Sequence, residues 1–309
     1  MKTLEQLGEF EFINAVARQC AGRDASILRG IGDDAAVVEV REKASLLFTA
    51  DMLIENVHFL RTQPARWIGH KALACSISDI AAMGGIPRYC LISVAFPSDM
   101  HVSFARDIYQ GMCKTARLFD ISIIGGDTNC ADKIIIDVFL CGTVKTGRYI
   151  TRSGARAGDL IFVTGCLGGS QAGRHLRFVP RVRESRFLAS HFPINSMIDI
   201  SDGLVSDLGH ILEQSKKSAV LRKEAIPLSL HAASLEDAFY TGEDFELLFT
   251  LPRKYEQQLV LKWPFKKKVR LTCIGEIVKG KAEIFIKDKY GNLNKAEKGG
   301  GYQHFRWLL

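Results

Sequence analysis

No stretch of the 309-residue chain approaches the roughly 18 consecutive apolar residues that a bilayer-spanning helix needs. Met1 to Phe12 is mixed and acidic, without the apolar centre of a secretory signal. A cytoplasmic protein with no membrane partner is therefore expected. The eight cysteines, at positions 20, 75, 90, 113, 130, 141, 166 and 273, form no C-x-x-C pair. Most lie in apolar segments, so they read as reduced, mostly buried thiols. There is no H-E-x-x-H and the eight histidines are scattered, which argues against zinc chemistry. There is no G-x-S-x-G elbow for a serine hydrolase. A glycine-rich turn, Gly165 to Ser170, offers backbone N–H groups to an anion but lacks the spacing and Lys-Ser/Thr of a Walker A loop. No tandem repeat of about 20 to 50 residues is present.

The chain does have the balance of a soluble globular protein, 47% hydrophobic and 24% charged. Its length suits one oversized domain or two ordinary ones. The formal charge is +7 and the pI about 9.0. Part of the excess sits in Lys262 to Arg270, which contains Lys266-Lys267-Lys268. Aromatic interleaving is poor there and no nucleic-acid motif is present, so the run reads as a solvated face. A positive surface also suits polyphosphate substrates.

Along the chain, Leu4 to Cys20 has the spacing of an amphipathic helix. Gly30-Ile31-Gly32-Asp33-Asp34-Ala35-Ala36 follows, two glycines and two adjacent carboxylates before an apolar run. Ser45 to Thr49 predicts a strand ending at Asp51, with His58 in an irregular stretch after it. Pro64 suits the first turn of a helix running to Met83, where Gly84-Gly85 stops it. Strands are expected over Tyr89 to Phe96, Ile121 to Ile124 and Ile134 to Val144, and a helix over Ser103 to Phe119. The strand at Ile121 is expected to deliver Gly125-Gly126-Asp127-Thr128-Asn129 into a loop. Gly147 to Gly158 is small, polar and glycine-punctuated, and reads as a boundary between residues 1–146 and 147–309. The second part predicts a buried strand over Leu160 to Thr164 and a helix opening at the Gly165 to Ser170 turn. A further strand ends at Asp199, and Ser201-Asp202 cap a helix over Leu204 to Leu212. Gly242-Glu243-Asp244 leads into a strand over Leu247 to Leu251, and two short strands lie within Cys273 to Ile286.

The chemistry rests on isolated acids. Asp34, Asp51, Asp79, Asp127, Asp199 and Asp202 all sit at or near the ends of apolar elements. Asp33-Asp34 alone is compatible with a solvated turn. Asp79, however, lies within the small, apolar run Ala72 to Ala82, where an unpartnered carboxylate is expensive. Oxygen ligands without a Cys/His cluster suit a hard cation, most naturally Mg²⁺, whose shell substrate phosphates usually complete. Six acids would serve several ions, which implies very anionic substrates such as a nucleoside triphosphate and a second phosphate.

In their order, these motifs resemble the thiamine-monophosphate kinase family, within the superfamily of aminoimidazole ribonucleotide synthetase and selenophosphate synthetase. The matching residues are Gly30 to Ala36, Thr49-Ala50-Asp51, His58-Phe59, Lys71-Ala72, Ser78 to Gly84, Gly125 to Thr128, Thr151 to Ala155, Met197 to Leu208, Gly242-Glu243-Asp244 and Gly301 to Phe305. The resemblance covers nearly the whole chain. It implies a two-domain α/β (α+β) fold: a mixed, mainly antiparallel N-terminal sheet domain and a C-terminal α/β domain. It also implies ATP-dependent conversion of thiamine monophosphate to thiamine diphosphate and a homodimer formed through the first domain. Asp34, Asp51, Asp79, Asp127, Asp199 and Asp202 correspond to Mg²⁺ ligands. Tyr109, Gly126, Arg152 and Ser201 correspond to ATP contacts, as does Asp127. His58, Glu243 and Tyr302 correspond to thiamine-phosphate contacts, and Asp127 and Arg152 are the residues expected to act on the transferring phosphoryl group. Three departures stand out: Ala50 replaces a hydroxyl residue, Thr241 replaces a glycine, and Gly173 to Pro180 is short. A related ATP-dependent synthetase and a non-catalytic nucleotide-binding homologue are the alternatives. Selenophosphate synthesis calls for a reactive N-terminal cysteine, whereas Cys20 reads as packed.

Overall fold

A computed structural model describes residues 25–29, 31–41 and 44–297, together with Glu11. The helix expected over Leu4 to Cys20 and the closing Tyr302 lie outside the described residues. In the first sheet, β1 (Ile27–Arg29), β2 (Ala36–Arg41), β3 (Ala44–Ile54), β4 (Ile86–Phe96), β5 (Ser122–Cys130) and β6 (Ile135–Lys145) take the order β1-β2-β3-β6-β4-β5. Only the β4–β5 pair is parallel. Helices α1 (Ala65–Ala82) and α2 (Val102–Leu118) cover one face of it.

Helix α1 forms where the sequence punctuates for it. Pro64 is its N-cap, and its end is a Schellman closure: Gly84 N–H donates to the Ala81 carbonyl, Gly85 N–H to that of Ile80, and Gly84 takes φ +76°. Fourteen of its residues are buried, so the helix has no solvent stripe and is wrapped by the fold. Its crossing with α2 is close because both partners present glycine. A Cβ on Gly69 would lie 1.9 Å from the Ile108 carbonyl oxygen, and one on Gly111 2.1 Å from that of Arg66.

The second sheet comprises β7 (Asp159–Thr164), β8 (Ser196–Asp199), β9 (Ser218–Arg222), β10 (Leu247–Pro252), β11 (Leu271–Val278), β12 (Ile284–Lys287) and β13 (Leu293–Lys295). Their order is β13-β12-β9-β11-β7-β10-β8, and only β9–β12 is parallel. This sheet is covered on both faces. Ile161 and Val163 of β7 pack with α4 (Leu204–Ser215). Leu160 and Phe162 pack with α3 (Val182–His191) and α5 (Glu256–Lys262). A strand buried on both sides reads as a continuous apolar run, which is why β7 shows no alternation.

Three local expectations change. Gly125 to Asn129 is not a loop but the interior of edge strand β5. The glycine there answers to strand packing: a Cβ on Gly126 would lie 1.8 Å from the Ile92 carbonyl oxygen of β4. The Gly165 to Ser170 turn opens only a single 3-10 turn, Ser170–Ala172, and the Gly168 N–H is taken by both oxygens of the buried Asp244 at 3.0 Å. The protein's own carboxylate thus fills the anion slot. Finally, α4 is capped from within. The N-cap is Gly203, and Asp207 accepts the N–H groups of Asp202 and Gly203 at 3.1 Å each.

Candidate active site

Helix α1 lies between the two sheets and touches both. On its first-sheet side, two hydroxyl–carboxylate bonds cross between helix and strand. Thr49 of β3 donates to Asp79 at 2.5 Å, and Ser76 of α1 donates to Asp51 at 2.7 Å. On its other side Ser78 donates to Asp199 at 2.6 Å, at the end of β8. The consequence is a convergence that spans the chain. Carboxylate oxygens of Asp34, Asp79 and Asp199 lie within 4.8 Å of one another. Asp34 and Asp199 are buried and Asp79 half-buried.

The charge in this cluster is unbalanced. Arg152, from the segment joining the sheets, grips Asp34 through Nη2 at 3.1 Å and Nε at 3.3 Å. Its backbone N–H donates to Asp33 at 2.8 Å, so Asp33 ties the loop while Asp34 faces the cluster. Burial opposes the Arg152 charge, but Asp34 more than offsets it and the guanidinium titrates above its usual range. One cation does not neutralise the rest. Burial, then Asp34, pushes the Asp199 carboxyl up to about 8. Burial and the charges of Asp51, Asp199 and Asp34 raise Asp79 well above the carboxylate range. Asp51 is raised by burial, against the Ser76 hydrogen bond. Asp51, Asp79 and Asp199, whose ionisation is unfavourable, crowd beside Asp34 and offer only hard oxygen donors, which suits a divalent cation.

A second group contains Asp202, Asp207 and His210, whose candidate ligand atoms also lie within 4.8 Å of one another. Burial, then Asp202 and Asp199, raises Asp207. Burial, aided by Arg152, lowers His210 to about 4. Asp207 and His210 were not singled out from sequence. The available signal was spacing: Asp202, Asp207 and His210 can meet only if a helix starts between the first two, as α4 does.

Beside the clusters lies a pocket of about 390 Å³, lined among others by Asp51, His58, Lys71, Ser201, Asp202 and Glu243. His58 and Glu243 are thus brought together from opposite halves of the chain. The His58 ring accepts the Ile54 N–H on Nδ1 at 2.9 Å, which leaves the proton of the neutral ring on Nε2. Glu243 sits in a left-handed turn, with Gly242, Glu243 and Phe245 at φ +73°, +55° and +49°. Thr241 instead closes the helical turn Asp237–Thr241, so its loss of glycine freedom costs the turn nothing. The Glu243 N–H donates to the Ser201 carbonyl at 2.7 Å, joining two predicted contacts through the backbone. The short Gly173 to Pro180 segment straps the halves together. Phe178 stacks on Phe245 with centroids 4.0 Å apart, its carbonyl meets His70 Nε2 at 2.7 Å, and Arg177 lies over Trp67 at 4.4 Å.

Tyr109, Gly126 and Asp127 lie apart from these groups. Tyr109 on α2 bonds to Thr128 of β5, next to the exposed Asp127, which accepts from Asn129 at 2.6 Å. In the sheet order β3-β6-β4-β5, Asp127 on β5 stands three strands away from Asp51 on β3. The expected nucleotide contacts therefore fall in two places: Arg152 and Ser201 at the acids and pocket, Tyr109, Gly126 and Asp127 at the edge of the first sheet.

Comparison with known proteins accords with this architecture. Residues 32–144 match the family model described as AIR synthase related protein, N-terminal domain, and residues 151–288 match its C-terminal domain. The chain is 34% identical to a thiamine-monophosphate kinase of Aquifex aeolicus, covering 98% of this chain and 99% of that protein. It is 34% identical to that of Bacillus subtilis, covering 97% and 100%. A solved structure described as AaThiL complexed with AMPPCP and TMP superposes with a TM-score of 0.84 at 32% identity, over 98% of this chain and 99% of that one. With both halves matched and identity above 30% over nearly the full length, the chain is an enzyme belonging to the thiamine-monophosphate kinase family.

Proposed function

We propose that the protein uses ATP to phosphorylate thiamine monophosphate, yielding thiamine diphosphate and ADP. The observation that carries this reading is the Asp34–Asp79–Asp199 cluster, neutralised only in part by Arg152, beside a pocket lined by His58 and Glu243. Transfer is direct and in line. An oxygen of the acceptor phosphate forms a bond to the γ-phosphorus while the bond from that phosphorus to the β,γ-bridging oxygen breaks. The acceptor is already largely anionic near neutral pH, since its second pKa is about 6, so no side chain need remove a proton. Magnesium ions bound by the acids would neutralise the facing polyanions and hold their oxygens in register. Asp34, Asp51, Asp79 and Asp199 form the central ligand set, with Asp202 on the pocket side and Asp127 on the nucleotide side. Arg152, held by Asp34, supplies a fixed positive charge beside the transferring group. Tyr109 and Gly126 contact the nucleotide at the sheet edge and Ser201 its phosphate end. His58 and Glu243 hold the thiamine moiety.

Residues 147–158 act as the joint between two domains, 1–146 and 147–309. The homodimer forms through the outer face of the first sheet, where Met52, Tyr89, Leu91, Ile124 and Phe139 are exposed. No helix among the described residues is long and apolar enough to cross a membrane. Two measurements test the reading. Incubation with ATP, Mg²⁺ and thiamine monophosphate is expected to yield thiamine diphosphate and ADP in equal amounts; folded protein that makes neither sinks it. Light scattering is expected to return twice the chain mass of 34.3 kDa, and a monomer at micromolar concentration would overturn the dimer.

A further inference from the structure

Lys71 is among the largest fully buried side chains of the described residues, with 1% of its surface accessible. Removing an ammonium from water costs several kcal/mol unless its partners are well placed. Its partners come from two different walls. Nζ donates to the His58 main-chain carbonyl at 2.7 Å, on the loop after β3. It also pairs with Glu243, 172 positions away on the left-handed turn before β10. The other Glu243 oxygen accepts from Gln171 at 2.8 Å, so the carboxylate is held from both sides. Along α1, Lys71, Cys75 and Asp79 follow at i, i+4 and i+8, on one face of the helix, which puts the Lys71 and Asp79 backbone positions about 12 Å apart along the axis. That spacing accommodates an extended phosphorylated molecule with its phosphate at Asp79 and its other end between His58 and Glu243. The titratable groups near Lys71 include Glu243, the Cys75 thiol and His175, whose imidazole pKa is lowered by burial.

We propose that Lys71 is a positioning residue for the thiamine end of the substrate: one buried ammonium fixes the separation of the His58 and Glu243 walls and aims the Glu243 carboxylate into the pocket. This rests on the thiamine-monophosphate reading of the site. An apolar side chain of the same length would be cheaper to bury and would leave both walls untethered. Lys71 acts through Glu243, so its contribution vanishes when that carboxylate is removed.

The test is a double-substitution cycle on the full chain. Thiamine monophosphate binding is measured by calorimetry without ATP, and KM for each substrate with Mg²⁺ present. Lys71→Met is expected to weaken thiamine monophosphate about 10- to 100-fold, the range of coupling for buried contacting charges. KM for ATP should stay within about 2-fold, because the partners of Lys71 are His58 and Glu243 and neither is an expected nucleotide contact. In a Glu243→Gln background the same substitution should change thiamine monophosphate affinity by less than about 3-fold. Equal weakening of both substrates, or effects that multiply in the double variant, overturns the assignment. If Lys71→Met alone does not fold, Glu243→Gln against the double variant, in which both charges are gone, carries the decision: equal affinities support the assignment and unequal ones overturn it. Wild-type protein that binds ATP but no thiamine monophosphate rejects the underlying substrate reading, and the Lys71 role with it.

Discussion

The two ends of α1 solve opposite problems. At the Asp79 end, Asp34, Asp51, Asp79 and Asp199 crowd together, and one guanidinium grips Asp34 alone. At the Lys71 end, one ammonium meets one carboxylate and one carbonyl. The first end is electrostatically unfinished and the second closed. Ligand charge is needed at one end and only geometry at the other: cations and phosphates complete the Asp79 end, whereas the Lys71 end is already shaped for a recognition contact.

The sharpest way to break this contrast is Asp79→Asn. Turnover is expected to fall by about 10³-fold or more, as when a metal-holding charge is removed from a phosphoryl-transfer site. Metal-free stability should move the other way. With one crowded acid gone, Tm is expected to rise by about 1–2 °C in thermal melts at pH 8, the size of a shift near 1 kcal/mol in a chain this long. A variant that keeps activity, or that melts earlier without metal, contradicts the unfinished-charge description. Arg152→Lys should be the next largest, lowering kcat by about 10- to 100-fold in steady-state assays, since a lysine cannot reproduce the two-nitrogen grip on Asp34.

The smallest predicted effect is on stability against pH. Asp199 is raised to about 8, and Asp51, Asp79 and Asp207 are also raised. A carboxyl whose folded pKa exceeds its unfolded value near 4 contributes stability that is whole below pH 4 and is lost as pH rises through the folded value. His210, lowered to about 4, acts in the opposite sense. Its contribution is whole above about 6.5 and lost as pH falls toward 4. Between pH 6.5 and 8 the acids act alone, so metal-free Tm should fall across that window. Mg²⁺ should restore more of it at pH 8 than at pH 6.5. A flat metal-free profile measured by scanning fluorimetry would remove the basis for the comparison.

Much of the scaffold was legible because its signals are local. Pro64, the apolar run and Gly84-Gly85 bound α1 to within a residue, and Asp79 stands out because a charge in such a run needs a partner. The Asp33–Asp34 loop could be noticed, but its two roles could not be separated until Arg152 was seen to bind one acid through its backbone and the other through its side chain. Gly126 looked like a loop residue because glycine signals a turn and a close strand approach alike. Lys71 carried the same signal as Asp79, a charge against an apolar helix, yet its partner is 172 positions away.

Helices α1, α2 and α4, strands β7, β8 and β10, the isolated acids near the ends of apolar elements and the family order of the motifs were all readable from the sequence. Those properties depend on backbone propensity, periodicity and caps within a few residues. Packing of the two halves settles which acids converge, that the Asp202–Asp207–His210 group forms around the start of α4, that Asp127 lies on an exposed strand, and that Lys71 joins His58 to Glu243. Electrostatic pairing acts over ångströms in space and is blind to separation along the chain, so it exists only once the two sheets are packed against α1.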